Sequence, residues 1–251
     1  MIDSSTFIFI LFFAGLFAGT VDAVAGGGGL ISLPMLLGVG IPPHVALGTN
    51  KFQSIFGTGM ATYQYYKNGL FYFKEIWVGL LTTFLGSFIG AIVVQYIAPS
   101  FLKEIMPFLL LIILLYSLFS PRLGLIDTHP RISKTLFYVT FGLALGFYDG
   151  FFGPGVGSFW LFFLIYFLGF NLVKATAHTK ILNLNTNVAA LLCFIFNNQV
   201  DYKIGLFMAA GQLIGGRLGA HLVMVNGVKL VKPIFLLVVT GTILTLVYRA
   251  L

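Results

Sequence analysis

The stretch GLFAGTVDAVAGGGG (residues 15–29) returns in the second half of the chain as GLALGFYDGFFGPGV (residues 142–156). The matching positions are polar or small and lie at a constant offset: Gly15 and Gly142, Gly19 and Gly146, Asp22 and Asp149, Gly26 and Gly153, Gly28 and Gly155. Apolar residues in so hydrophobic a chain can agree by composition alone, whereas an aspartate cannot easily do so. The repeat therefore indicates two homologous halves.

The repeat continues beyond this stretch. ALGTNK (residues 46–51) aligns with ATAHTK (residues 175–180) after a two-residue gap, and Gly86 and Gly90 align with Gly215 and Gly219. Repeated membrane halves with glycine-broken helices and a few buried charges are typical of secondary transporters.

The composition excludes an ordinary water-soluble domain. The mean hydropathy is +1.01, and charged residues make up 8% of the chain, against roughly 25% in soluble domains. At about 20 residues per crossing, the 251 residues have room for roughly eight to ten spans. We therefore predict an all-α polytopic membrane protein with 8–10 transmembrane segments.

Apolar runs divide the chain into ten segments: 6–24, 30–41, 44–66, 74–98, 102–120, 135–152, 156–170, 173–196, 203–225 and 230–250. Residues 1–120 form the first repeat, 121–134 the connecting loop and 135–251 the second repeat. The segments 30–41 and 156–170 are short, and each follows a glycine-rich break that will not continue a helix. We expect both to be discontinuous or re-entrant helices buried in the core.

The basic residues favour inverted halves. If the short segments cross, one side holds Lys67, Lys74, Arg122, Arg131, Lys134, Lys174, Lys229 and Lys232, and the other holds Lys103, Lys203 and Arg249. Re-entrant segments would instead make the halves parallel, with a weaker asymmetry. The inverted arrangement places both termini outside.

Several classes of function are excluded or disfavoured. The net charge of +7 is spread singly between apolar runs, which suits loop anchoring and not nucleic-acid binding. The lone Cys193 rules out an intramolecular disulfide framework. The run 6–24 reads as a retained first span and not as a cleaved signal peptide. We find no metal site, no cofactor motif and no catalytic constellation, so an enzyme is not expected.

Asp22 and Asp149 lie one turn before the glycine breaks. An unpaired carboxylate in hydrocarbon costs at least about 2.5–3.5 kcal/mol, so each needs a partner or a cavity. Each could take and release a proton as it faces alternate sides of the membrane. Each could equally cap the helix that follows the glycines. The sequence leaves both interpretations open.

Lys51 and Lys180 lie near the starts of long apolar segments. A lysine there suits a small oxyanion, with neutral groups beside it from Thr49, Asn50, His178 and Thr179. The competing interpretation pairs each lysine with one of the aspartates, and a substrate could then compete with the carboxylate. The backbone N–H groups of the breaks, at Gly27, Gly28 and Gly155, could also cradle an anion.

Other polar residues carry weaker signals. Asn183, Asn185 and Asn187 cannot all share one helix face, so we expect one or two to line a path and the rest to bond between helices. Arg217 and His221 have no counterpart in the first half. Gly86 and Gly90, like Gly215 and Gly219, are interpreted as close helix packing.

The pattern G-x-x-x-G…D-x-x-x-G-G-G-G-x-I-x-x-P, followed by A-x-G-T-N-K, resembles the sulfite exporter TauE/SafE family from about Leu11 to Tyr248. The resemblance implies transport of sulfite or small sulfur-containing organic anions across bacterial inner membranes. The matching motif positions are Asp22, Gly26 to Gly29, Pro34, Thr49, Asn50, Lys51, Asp149, Gly153, Pro154 and Gly155. His178-Thr179 departs from the family pattern, and a histidine there adds a titratable group.

We therefore expect a transporter of a small sulfur-containing anion in the bacterial cytoplasmic membrane, working by alternating access with a central site between the breaks. Its expected partners are the small anionic substrate and the lipid bilayer; proton coupling and a homo-oligomer are left open. The alternatives are a passive anion facilitator or channel, an importer of a cation or thiol compound, and a non-transporting membrane subunit or assembly factor.

Overall fold

The computed structural model describes residues 4–119 and 126–226. Within them the chain is helical and has no strand, which confirms the all-α fold with glycine-broken helices. The helices are α1 Ser4–Ala25, α2 Gly29–Gly38, α3 Pro43–Lys67, α4 Phe73–Gln95, α5 Pro99–Phe119, α6 Lys134–Phe151, α7 Val156–Leu168, α8 Leu172–Phe196 and α9 Tyr202–Asn226. The predicted tenth segment, 230–250, and residues 120–125 lie outside the described residues.

The described helices suit a bilayer. Three are long and apolar enough to cross one, over Thr6–Ala25, Phe73–Gln95 and Leu172–Phe196. Large apolar side chains cover their outer faces, including Phe13, exposed at 50%, and Trp77, exposed at 62%. Soluble monomers rarely expose apolar surface so widely. The two short apolar helices, α2 and α7, follow the glycine breaks as predicted.

Local sequence explains where several helices begin. Pro43 opens α3, where its missing N–H costs nothing. The side chains of Ser133, Asn171 and Asp201 accept backbone N–H bonds at the starts of α6, α8 and α9, as helix caps do. Helix α6 therefore begins at Lys134, one residue before the predicted segment 135–152.

Contacts between helices show two sets that run in opposite directions. In α3 and α8, Gly48 lies against Phe194 and Gly59 against Leu184, so these helices are antiparallel. In α3 and α9, Thr49 bonds Asp201 and Gly57 lies against Gln212, so these are parallel.

Helix α1 runs parallel to α9, and therefore also to α3, because Gly15 lies against Met208 and Gly19 against Gln212. Helix α6 runs parallel to α4, because Gly79 lies against Tyr138 and Gly90 against Phe147. Asn185 of α8 bonds Leu80 of α4, and Cys193 bonds Phe88, so α8 also runs with α4. The register therefore puts α1, α3 and α9 in one direction and α4, α6 and α8 in the other.

The two ends of this bundle differ in charge. The end of α3 and the starts of α4, α6 and α8 form what we call the basic end, which carries Lys67, Lys74, Arg131, Lys134 and Lys174 against the acidic Glu75 and Asp127. The starts of α3, α5 and α9 form the neutral end, whose described basic residues, Lys103 and Lys203, are balanced by Glu104 and Asp201.

Glycines let the halves exchange helices. The first helix of each half packs on the fourth helix of the other: α1 on α9 and α6 on α4. The backbones of Gly86 and Gly90 touch α6, and those of Gly215 and Gly219 touch α1, with no space for a Cβ. These pairs therefore act in close helix packing, as expected from their spacing.

We predict that Gly215→Ala lowers the unfolding free energy by about 1–3 kcal/mol, the usual cost of overpacking. Its Cβ would clash with the Leu16 carbonyl and lie 2.8 Å from the Thr20 nitrogen. Gly59→Ala is the matched control, because its Cβ would lie 3.8 Å from Leu184. There the better helix propensity should leave stability unchanged or raise it. Thermal unfolding in detergent would measure both, and equal stability of the two variants would contradict the packing assignment.

Candidate functional site

The two glycine breaks meet in the middle of the bundle. Gly26, with a φ of +73°, packs backbone to backbone against Gly157. Ser158 donates its hydroxyl to the carbonyl oxygen of Ala25 at 3.1 Å. Gly153 has a φ of +99°, a conformation that favours glycine. The broken backbone is enclosed by protein, the condition under which it is stable at membrane depth.

A buried ion pair lies beside the second break. The Lys51 Nζ is 2.5 Å from Asp149 Oδ1, and the two side chains are 2% and 4% exposed. Thr186 donates its hydroxyl to the other oxygen of the same carboxylate. Charged groups buried this deeply need such partners, because an unpaired one is strongly destabilising.

A second ion pair lies beside the first break. The Lys180 Nζ is 3.0 Å from Asp22 Oδ2 and also donates to the Asp22 carbonyl oxygen at 2.5 Å. The backbone N–H of Gly28 donates to Asp22 Oδ1 at 3.4 Å. Asp22 thus combines an ion pair with a long bond to the N–H of Gly28, the residue before α2, and no side chain caps α2. The polar contacts of the Asp149 carboxylate come from Lys51 and Thr186, and no side chain caps α7.

The two ion pairs cross between the halves. Lys51 of the first half pairs with Asp149 of the second, and Lys180 of the second pairs with Asp22 of the first. This conformation therefore shows the ion-pair interpretation of the lysines, while their anion-binding role stays a prediction.

A polar cleft adjoins these pairs. In this conformation its free volume is about 20 Å³, which is room for about one water molecule. Both halves line it, with Asp22, Gly26, Gly29, Asn50, Lys51 and Ser54 from the first and Asp149, Gly153, Gly155, Val156, Asn183 and Asn187 from the second. Gly29 is the first residue of α2 and Gly155 directly precedes α7, so two helix N-termini meet at the cleft. Their unsatisfied N–H groups and partial positive charge favour an anion.

The cleft brings together five of the residues predicted from the sequence: Asp22, Asn50, Lys51, Asp149 and Gly155. The others do not line it: Lys180, Thr49, His178, Thr179, Gly27 and Gly28.

Thr49 and His178 serve packing and capping in this conformation. The Thr49 hydroxyl accepts the backbone N–H of Asp201 at 2.8 Å. The His178 ring lies between Phe71 and Phe170, with centroid distances of 6.2 and 4.7 Å. Successive helix residues point about 100° apart, so neither side chain faces the cleft although both lie near a lysine in the chain.

The asparagine run behaves as its spacing predicts. Asn183 and Asn187, four residues apart, share a helix face and line the cleft. Asn185 points elsewhere and donates to the Leu80 carbonyl at 2.7 Å and to the Thr83 hydroxyl at 3.0 Å. Their helix therefore contributes both a cleft wall and a bond between helices.

Two features escaped sequence reasoning. Thr186 was missed because its counterpart is Gly57, so comparing the halves showed no repeated hydroxyl. A buried network was also missed, in which Gln212 donates to Gln53, and Gln53 and Ser32 both donate to the side-chain oxygen of Asn50. This network holds Asn50 at the cleft wall, and three different helices contribute to it.

Arg217 and His221, which have no counterpart in the first half, are exposed on α9. They lie away from the cleft and are not part of its lining.

Comparison with known proteins gives consistent matches. Residues 11–246 match the family model described as sulfite exporter TauE/SafE. A probable membrane transporter protein of Haemophilus influenzae is 44% identical over 224 residues, covering 89% of this chain and 88% of the relative. The probable membrane transporter protein YfcA of Escherichia coli K12 is 41% identical over 229 residues, covering 91% and 85%. No solved structure matches.

The family match, over residues 11–246, spans both breaks and both ion pairs. The matches are to membrane transporters and not to enzymes. Together with the apolar helices, they place the chain in a membrane.

We predict that Lys51→Gln lowers the unfolding free energy by about 3–5 kcal/mol, because it leaves Asp149 buried without its cation. The double variant Lys51→Gln with Asp149→Asn should recover most of that loss. Lys134→Gln is the control, since it breaks the half-exposed pair with Glu75 and should cost less than about 1 kcal/mol. Denaturant unfolding in detergent would measure all three, and a double variant no more stable than the single one would refute the coupling.

Proposed function

This chain belongs to the sulfite exporter TauE/SafE family of membrane transporters, and on that premise we propose that it moves a small sulfur-containing oxyanion, sulfite or an organosulfonate, together with a proton. The observation that carries the proposal is the pair of buried ion pairs crossing between the halves at the two breaks. The halves rock around this site in alternating access.

The balance of charge is the reason for the proton. The buried cluster holds two lysines and two aspartates, so its formal charge is zero. An anion that entered alone would leave a net negative charge in a region of low dielectric, at high cost. A proton on one carboxylate restores neutrality and releases that carboxylate's lysine to the anion. One proton therefore accompanies each monovalent anion.

The binding contacts follow from the cleft. Lys51, freed from Asp149, donates to the oxyanion, and the N-terminus of α7 at Gly155 adds partial positive charge. Asn50 and Ser54 supply neutral hydrogen-bonding groups beside the lysine. Lys180, beside the first break, donates to the oxyanion in the same way once it is freed from Asp22.

We place the protein in the bacterial cytoplasmic membrane with the basic end in the cytoplasm, following the positive-inside rule. We also propose that the halves are inverted repeats. The register supports this, because α3 and its counterpart α8 are antiparallel, and α1 and α4 likewise run opposite to their counterparts α6 and α9.

The alternatives receive less support. For an importer of a cation or thiol compound, the aspartates would bind the substrate, but each carboxylate already has a lysine. A passive facilitator would use the same anion contacts without the proton. The family match to transporters disfavours a non-transporting subunit or assembly factor.

We predict that Lys51→Ala and Lys180→Ala abolish the flux of sulfite or a sulfonate in proteoliposomes. The double variant Lys51→Gln with Asp149→Asn tests the same point in a protein that keeps its fold, and its flux should fall at least about tenfold, since a cationic contact is worth roughly 1.5–3 kcal/mol. Full transport in both alanine variants would rule out the site assignment.

We further predict that a pH gradient, acidic on the side of the substrate, drives its accumulation against its concentration gradient in wild-type proteoliposomes. Asp149→Asn should retain downhill exchange but lose this response, because the residue no longer carries a proton. A wild-type protein that never accumulates substrate would instead identify a passive facilitator.

A further inference from the structure

On α3 and α8 the cleft is lined from only one side of the bundle's middle, while Asp22, Gly26 and Gly29 line it from the first break. Lys51 is the ninth residue of the 25-residue α3, which starts at the neutral end, and Asn50 precedes it. Asn187 lies in the second half of α8, which finishes at that end. The walls that α3 and α8 contribute therefore extend from the middle of the bundle towards the neutral end.

The repeat identifies the residues of α3 and α8 that lie on the basic side of the bundle's middle. The counterparts across the repeat are Asn50 and Thr179, Lys51 and Lys180, Ser54 and Asn183, and Thr58 and Asn187. Ser54 and Asn183, nearest the middle, are counterparts of each other and both line the cleft.

Towards the basic end, the counterpart positions are sealed. Thr58, Thr179 and Lys180 lie on that side of the middle, do not line the cleft, and are exposed by 1% or less. Lys51, which lines the cleft, is itself 1% exposed, so the two half-sites differ in lining the cleft and not in burial. We call the half-site that lines the cleft the open half-site and its copy the closed half-site.

Thr179 carries a sign of unused binding capacity. Its hydroxyl is fully buried and has no hydrogen-bond partner among the described residues. Buried hydroxyls are nearly always bonded, and an unbonded one is destabilising and requires an explanation. Thr58, by contrast, bonds the Ser54 carbonyl of its own helix at 2.7 Å.

We infer that Thr58, Thr179 and Lys180, with the shared Ser54 and Asn183, form a second half-site for the same oxyanion, which opens to the basic end when the open one closes. The inference rests on the proposed function and adds the residues of the opposite-facing state. The Thr179 hydroxyl, unbonded here, donates to the substrate there.

The two half-sites differ in chemistry. Towards the neutral end the neutral groups are the amides of Asn50 and Asn187, each with two N–H donors. Towards the basic end the same positions hold Thr179 and Thr58, with one O–H donor each. An oxyanion accepts more bonds from the first set, so it binds more tightly from the neutral end.

Single cysteines test the geometry in a Cys193→Ala background, since Cys193 is the chain's one cysteine. Right-side-out and inside-out membrane vesicles expose opposite ends to a membrane-impermeant maleimide. Asn187→Cys should react from the neutral end and Thr58→Cys from the basic end, each protected by methanesulfonate. Sulfite is not used for protection, because it adds to the maleimide double bond itself. Val188→Cys, on the exposed apolar face of α8, is the control and should react from neither.

The outcomes separate the inference from the proposed function. Reaction of Thr58→Cys from the neutral end, or from neither end in a background that transports, overturns the second half-site and leaves the proposed function standing. Opposite-sided reaction without protection by any sulfonate supports two half-sites but refutes a sulfonate substrate.

Thr179→Val tests the unbonded hydroxyl directly. It should leave the melting temperature unchanged or higher, yet raise the half-saturation concentration at the basic end about tenfold, the usual effect of one lost hydrogen bond. Thr179→Asn, which copies Asn50, should lower that concentration. An unchanged half-saturation concentration in both variants would contradict the assignment.

Discussion

Four charges between the two halves, of which only the Asp22 carboxylate is partly exposed, constrain the rest of this structure. A lone carboxylate or ammonium in hydrocarbon is costly, and here the cost is offset by pairing Lys51 with Asp149 and Lys180 with Asp22. Because each lysine finds its carboxylate in the other half, neither half can satisfy its own charges alone. The two halves therefore have to pack around a common centre, which is where the cleft lies.

The glycines serve this requirement in two ways. Those within the helices, such as Gly90 against Phe147 and Gly215 against Leu16, let the halves exchange helices at backbone contact. Those in the breaks, such as Gly26 against Gly157, let the chain turn at the centre and bring two helix N-termini to the ion pairs. Both the close packing of the helices and the geometry of the site thus depend on glycines, which have no side chain.

Much of the site could be predicted from the sequence, because a repeated charge in an apolar segment is rare. This signal predicts Asp22, Asp149 and Lys51, which line the cleft. Helical spacing also predicts that Asn187 and Asn185 point to different sides of α8. Thr49 and His178 are predicted at the site only because they neighbour the lysines in the chain, yet their side chains contact other helices and loops. Thr186 has no repeated counterpart, so only the fold shows its bond to Asp149.

The sequence by itself determined the membrane environment, the two homologous halves and the residues that carry charge, since composition, repetition and hydrophobic runs are properties of the chain. Only the tertiary structure decided which lysine meets which aspartate, because those partners lie in different halves and pairing depends on how the helices are exchanged. It also decided that Asn50 lines the cleft while Thr179, its counterpart, is buried outside the cleft lining. Which of two repeated positions lines the cleft depends on how the helices of the two halves pack, and the chain alone does not show that packing.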